Sequence, residues 1–112
     1  MWDNGEMKPL LYILVNNEPV AVSDHERWQD WINTHEREIA RTDISDTIRV
    51  ETWFPGVDYR IENTGPPLLF LTEVYRDGKE VERFRTATMK RAKMAHINVV
   101  ARLMKEENDR RE

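Results

Sequence analysis

Residues 47–54 alternate without a break. Ile48, Val50, Thr52 and Phe54 fall on one side, and Arg49, Glu51 and Trp53 fall on the other. A period of two over this length specifies a half-buried strand. Leu68 to Tyr75 is the most apolar stretch of the chain, as suits a central strand. Asp77-Gly78 then offers the two residues that a type I′ turn needs at positive φ. Glu80 to Arg85 returns with only Val81 and Phe84 apolar, and its charges suit a sheet edge. A three-stranded antiparallel meander is therefore expected. Pro55-Gly56 ends its first strand, and a long polar loop holding Asp58, Tyr59, Glu62 and Asn63 runs to Pro67.

The flanking segments complete an α+β domain. Pro9 to Val15 is a continuous apolar run, Asn16-Asn17-Glu18-Pro19 has turn chemistry, and Val20-Ala21-Val22 reads as a short return. These predict an N-terminal hairpin with a loop of about four residues. Ser23-Asp24-His25-Glu26 has the form of a capping box with Ser23 as cap. Trp28, Ile32, His35 and Ile39 follow at helical spacing, with Trp31 on the flank, so a first helix is expected to end near Arg41 or Thr42. Thr88 caps a last helix whose apolar side is Ala92, His96, Val99, Val100 and Leu103. The expected order is ββαβββα, with both helices on one face of the sheet. The 112 residues suit one domain, with loose ends at 1–8 and 106–112.

Composition removes several function classes. The chain has no cysteine, which excludes disulfides and thiolate metal sites. Its longest apolar run, Leu10 to Val15, is far too short to span a bilayer, and the first eight residues do not resemble a signal peptide. A cytoplasmic protein without membrane contact is expected. The net charge of −4 is unevenly distributed. Residues 1–84 carry nine cations and seventeen acids, whereas residues 85–112 carry eight cations and four acids. No acid lies between Arg85 and Lys105. Such asymmetry marks either a nucleic-acid or partner surface, or a basic helix facing an acidic body.

Few residues could carry chemistry. None of His25, His35 and His96 is paired with another at metal-ligand spacing. His35-Glu36 opens like a zinc protease motif, but Ile39 stands where the second ligand belongs, and no metal or cofactor is expected. His35 and His96 fall on expected apolar faces, where a histidine is ordinarily a core residue bonded to backbone. As a site, His96 would need Asp58 or His35 beside it in a cleft. Asp58 either braces its turn or contacts a ligand. Trp53 is an anchor for a partner unless the hairpin or the long loop covers it. There is no nucleophile elbow, P-loop or dinucleotide fingerprint, and Ser23 is needed as a cap. The sequence holds no catalytic kit and argues for a non-enzyme.

Two resemblances extend this reading. Val50-Glu51-Thr52-Trp53-Phe54-Pro55-Gly56-Val57-Asp58-Tyr59, then Gly65-Pro66-Pro67-Leu68-Leu69-Phe70, then Thr88, Ala92 and His96 resemble an uncharacterised family of small phage and bacterial proteins. Trp28 and Trp31 after a hairpin also suit that family, which implies no known activity. The chain departs from it at Leu71, where relatives often carry Glu, and at Tyr59, where they carry His. A family membership would place the protein in a host cytoplasm. The layout also resembles the double-stranded-RNA-binding domain, with Lys90-Arg91-Ala92-Lys93 opening the last helix. The acidic body and Arg83-Phe84-Arg85-Thr86, in place of a glycine-rich approach, depart from that pattern.

Three functional readings follow. The first is a non-enzymatic protein-binding or accessory module, one that modulates a host system, with Trp53 and Tyr59 as partner contacts. The second is a nucleic-acid binder through Lys90, Arg91, Lys93 and Arg102. The third is a small-ligand binder or minor enzyme with a pocket near Asp58, Thr72 and His96. The edge strand Glu80 to Arg85, or the hairpin, would permit a dimer, and nothing in the sequence requires one.

Overall fold

A computed structural model describes residues 10–59 and 65–111. The expected arm at residues 1–8, and Glu62 and Asn63 of the long loop, lie outside them. Strands β1 (Leu11–Val15) and β2 (Glu18–Val22) form the hairpin, followed by α1 (His25–Thr34). Strands β3 (Glu38–Asp43), β4 (Ile48–Trp53), β5 (Phe70–Arg76) and β6 (Lys79–Thr86) form one antiparallel sheet in that order. The C-terminal helix α2 (Met89–Arg111) lies across one face of the sheet. The α+β composition, the hairpin, both helices and the antiparallel sheet agree with the sequence reading.

Four details differ from expectation. The sheet has four strands because the first helix stops at Thr34, and residues 38–43 turn into β3. Helical spacing through Ile39 is overridden at His35, whose backbone is extended (φ −121°, ψ 148°) while its N–H closes the helix on the Trp31 carbonyl. Thr34 Oγ1 donates to the Asp30 carbonyl at 2.8 Å, a side-chain bond that competes with helix continuation. The next segment gains more by pairing with β4, beginning with Phe54 N–H to the Arg37 carbonyl at 2.9 Å. The cap of α1 is Asp24, not Ser23: its carboxylate accepts from the Glu26 and Arg27 amides at 3.0 and 3.3 Å.

The first hairpin is tighter than expected, with Asn16 and Asn17 alone in the turn at φ 53° and 67°. Two left-handed residues match the strand twist, and Asn tolerates that conformation. Pro19 therefore sits inside β2, opposite Leu14, on a strand paired only on one side. Finally, α2 continues through the polar residues after Lys105 as far as Arg111. Thr88 caps its start by accepting from the Arg91 amide at 3.1 Å.

Two apolar clusters sit between α2 and the sheet. One joins Ile48, Val50 and Val74 to Val99 and Leu103. The other joins Phe54, Leu69, Phe70 and Ala92, and reaches Tyr12, Leu14 and Trp31 of the hairpin and α1. Trp31 meets Phe54 edge-on at 5.9 Å.

Gly56 is where the N-terminal half attaches. Its carbonyl accepts from Tyr12 N–H and from Trp28 Nε1–H, both at 2.9 Å. Leu11 bridges Val57, and the Asp58 amide donates to the Leu10 carbonyl at 2.8 Å. Gly56 has φ +79°, and a Cβ there would stand 2.9 Å from the Tyr12 carbonyl oxygen and 3.1 Å from both Trp28 Nε1 and Ile32 Cδ1. Gly78 has the same φ and open space around it. Gly78→Ala should therefore cost only the backbone conformation, about 1–2 kcal/mol. Gly56→Ala should cost about 1–3 kcal/mol beyond that, from crowding at the junction. Urea unfolding of the two variants measures the difference, and equal losses would disprove the junction role.

Candidate functional site

The two apolar clusters are separated by a polar layer. Along β4 and the residue after it the inward residues run Val50, Thr52, Phe54; along β5 they run Val74, Thr72, Phe70. On α2 His96 falls between Ala92 and Val99. Thr52 Oγ1 lies 2.7 Å from Thr72 Oγ1 and 2.8 Å from His96 Nδ1, and His96 Nε2 lies 2.9 Å from Thr42 Oγ1. A neutral imidazole has one donor and one acceptor nitrogen, so this Thr–Thr–His–Thr chain satisfies it fully. Burial lowers the His96 pKa below its usual value, because the interior disfavours the imidazolium.

Thr72 and His96, two of the three expected pocket residues, share Thr52 as a neighbour, and Asp58 lies apart from them. Asp58 is buried beside β1, next to the Leu11–Val57 bridge. Both ring nitrogens of His96 are taken by protein hydroxyls, which leaves no free polar atom there to meet a ligand. His35, expected on an apolar face, is exposed at the end of α1. It stacks on Trp31 at 4.7 Å.

The opposite sheet face carries Trp53, Leu71, Glu73, Tyr75, Arg83 and Arg85, and no helix lies over it among the described residues. Register explains the neighbours: Trp53, Leu71 and Arg85 form one cross-strand row, and Glu51, Glu73 and Arg83 the next. Glu73 is buried in the centre. It accepts from Trp53 Nε1 at 2.8 Å, and its carboxylate stands 3.7 Å from Arg83 Nη2. Burial, reinforced by the neighbouring Glu80 carboxylate, raises the Glu73 pKa, while Glu80 keeps a lowered one through its hydrogen bonds with Glu73 and Arg83. Of the two, Glu73 is the carboxylate that takes up a proton first as pH falls.

Three guanidiniums on this face rest on aromatic rings, Arg49 over Tyr75 at 4.6 Å among them. Arg37 lies over Trp53 at 5.4 Å, and Arg85 lies over Tyr59 at 5.5 Å. Neither makes an ion pair among the described residues. Trp53 is half-buried, and Tyr59 is 65% exposed. With Pro55, Leu71, Glu73, Arg83 and Arg85 they line a cavity of about 420 Å³. The sequence by itself does not single out Arg37, Arg83 or Arg85. The available signal was the alternation of β6, which puts Arg83 and Arg85 on the same side as Trp53 once the sheet register is known.

Of the expected nucleic-acid contacts, Lys90, Arg91 and Lys93 are exposed at the start of α2. Arg102 is engaged elsewhere, at 2.6 Å from Glu82 and 3.4 Å from Glu106. No group of three potential metal ligands occurs among the described residues, and no helix there is long and apolar enough to cross a membrane. Comparison with protein-family models, curated proteins and solved structures found no match.

Two measurements probe the polar layer. Thr52→Val keeps the shape but strips His96 and Thr72 of a shared partner, and should cost about 1–3 kcal/mol in urea unfolding. Because the folded pKa of His96 lies below the unfolded value, its contribution is complete above about pH 6.5 and declines as pH falls toward the folded pKa. The decline should be no steeper than about 1.4 kcal/mol per pH unit, the limit for one proton. His96→Gln should flatten it.

Proposed function

We propose that the chain is a non-enzymatic protein-binding module, an accessory protein of the small phage type, and that it recognises its partner through the uncovered sheet face around Trp53 and Tyr59. One observation carries this reading: the two aromatic rings, each with an arginine on it, border the same cavity on a face that no helix covers among the described residues. Tryptophan, tyrosine and arginine are the residues that dominate protein interfaces energetically, because they combine large area with directional polar groups. Leu71 and Pro55 supply an apolar floor. The absence of a free nucleophile or base in the His96 layer favours binding over catalysis.

The test compares wild-type bait with Tyr59→Ala/Arg85→Ala in cross-linked capture from cells of a candidate host. A specific protein retained by the wild type and lost in the double variant is expected, with a loss of at least about 2 kcal/mol for an anchor pair. Capture that survives the double variant would move the interface elsewhere, and repeated failure to capture any protein would count against the reading. The nucleic-acid alternative now rests on Lys90, Arg91 and Lys93, whose side chains make no ion pair among the described residues. A salt titration with short duplexes and single strands separates it, since phosphate binding weakens steeply with salt.

A further inference from the structure

Helix α2 has a second apolar face. At about 3.6 residues per turn, Ala92, His96, Val99 and Leu103 point to the sheet. Met94, Ile97, Ala101 and Met104 then fall on the opposite side of the helix. The three large residues of that stripe are 52%, 65% and 48% exposed, and Ala101 is exposed between them. Their spacing of three, four and three is the seam of a heptad pattern, the arrangement by which helices pack along their length. A contiguous apolar stripe of this kind on a small charged protein marks an interaction surface.

The charge along α2 identifies the occupant. From Met89 to Lys105 the helix carries Lys90, Arg91, Lys93, Arg102 and Lys105 and no acid; Glu106, Glu107 and Asp109 follow, and Arg110 and Arg111 close it. We propose that α2 pairs antiparallel with α2 of a second copy of this chain, across a two-fold axis near residue 99. That register sets Met94 against Met104 of the second copy and Ile97 against Ala101, a large residue facing a small one at each inner position. On one flank Lys93 meets Glu107 of the second copy, a partly buried acid that Arg110 of its own helix approaches at 3.6 Å, and Val100 meets its counterpart. On the other flank Arg91 approaches Lys105, which already holds Asp109 at 3.2 Å. Antiparallel pairing sets the basic start at residues 90–93 against the stretch that holds Glu106 and Glu107 and opposes the helix dipoles, while parallel pairing would stack the two basic starts on each other. A two-fold axis makes one patch complementary to itself, and the product is a sheet–helix–helix–sheet sandwich. The seam is short, so the dimer is weak. It leaves the Trp53 face free and does not depend on the proposed function.

Sedimentation equilibrium of the full chain tests the proposal. The wild type should move from monomer to dimer mass as concentration rises into the hundreds of micromolar (roughly −5 kcal/mol of association or better). Ile97→Glu should weaken association at least about tenfold with unchanged circular dichroism and unfolding midpoint, since Ile97 is exposed. Lys93→Glu should also weaken it, and Lys93→Glu/Glu107→Lys should restore it. The chain lacks cysteine, so Ile97→Cys and Ala101→Cys variants report orientation directly: mixed together, they should cross-link to each other in preference to themselves. A wild type that stays monomeric, a dimer indifferent to Ile97→Glu, or self-cross-linking by Ile97→Cys would each overturn the proposal.

Discussion

The carbonyl oxygen of Gly56 holds the two halves of this protein together. It accepts from the backbone of β1 and from the indole of Trp28 at once. A buried carbonyl with both lone pairs occupied costs nothing in desolvation, whereas a missing partner on either side would. The left-handed conformation of Gly56 aims that oxygen, and the lack of a Cβ lets Tyr12, Trp28 and Ile32 close around it. The hairpin and α1 have few fully buried residues of their own: Ile13 and Val22 in the strands, and none in α1. They are therefore stable as parts of the sheet's second apolar cluster rather than as an independent unit.

The interior is divided by its polar layer, and the division has a structural consequence. An all-apolar seam between α2 and the sheet would tolerate a shift of the helix by one turn. His96, held at both ring nitrogens, makes such a shift expensive, because it would carry an imidazole into the valine and leucine cluster and strand three threonine hydroxyls. The same burial that lowers the His96 pKa keeps the ring nearly out of reach of solvent.

The uncovered face solves a different problem. Among the described residues only α2 lies over the four-stranded sheet, and the other face carries its polar and aromatic rows. Here the exposed strands carry crossed rows of arginine, glutamate and aromatic rings, with Arg49 over Tyr75 at 4.6 Å and Glu73 under Arg83. Stacking arginines on rings keeps the aromatic area partly covered in the free protein while leaving the guanidiniums available. The outer stripe of α2 (Met94, Ile97, Met104) carries no such cover among the described residues.

Local chemistry determined much of the architecture. The alternation of Thr47–Phe54, the Asp77-Gly78 turn, the Thr88 cap and the apolar side of α2 all read correctly, because each depends on residues within a few positions. Trp53 opposite Val50 followed from the same period of two. Tertiary pairing decided β3: Ile39 fits a helix by spacing and a strand by type, and only a partner in β4 breaks the tie. It also decided the environments of the histidines. His35 and His96 have equivalent patterns in sequence, yet one ends exposed on a helix terminus and the other buried among three threonines, since the length of α1 and the placement of α2 on the sheet are set by long-range contacts. The convergence of Trp53, Tyr59, Arg83 and Arg85 was hidden for the same reason: cross-strand register joins residues more than twenty positions apart, and no local period encodes it.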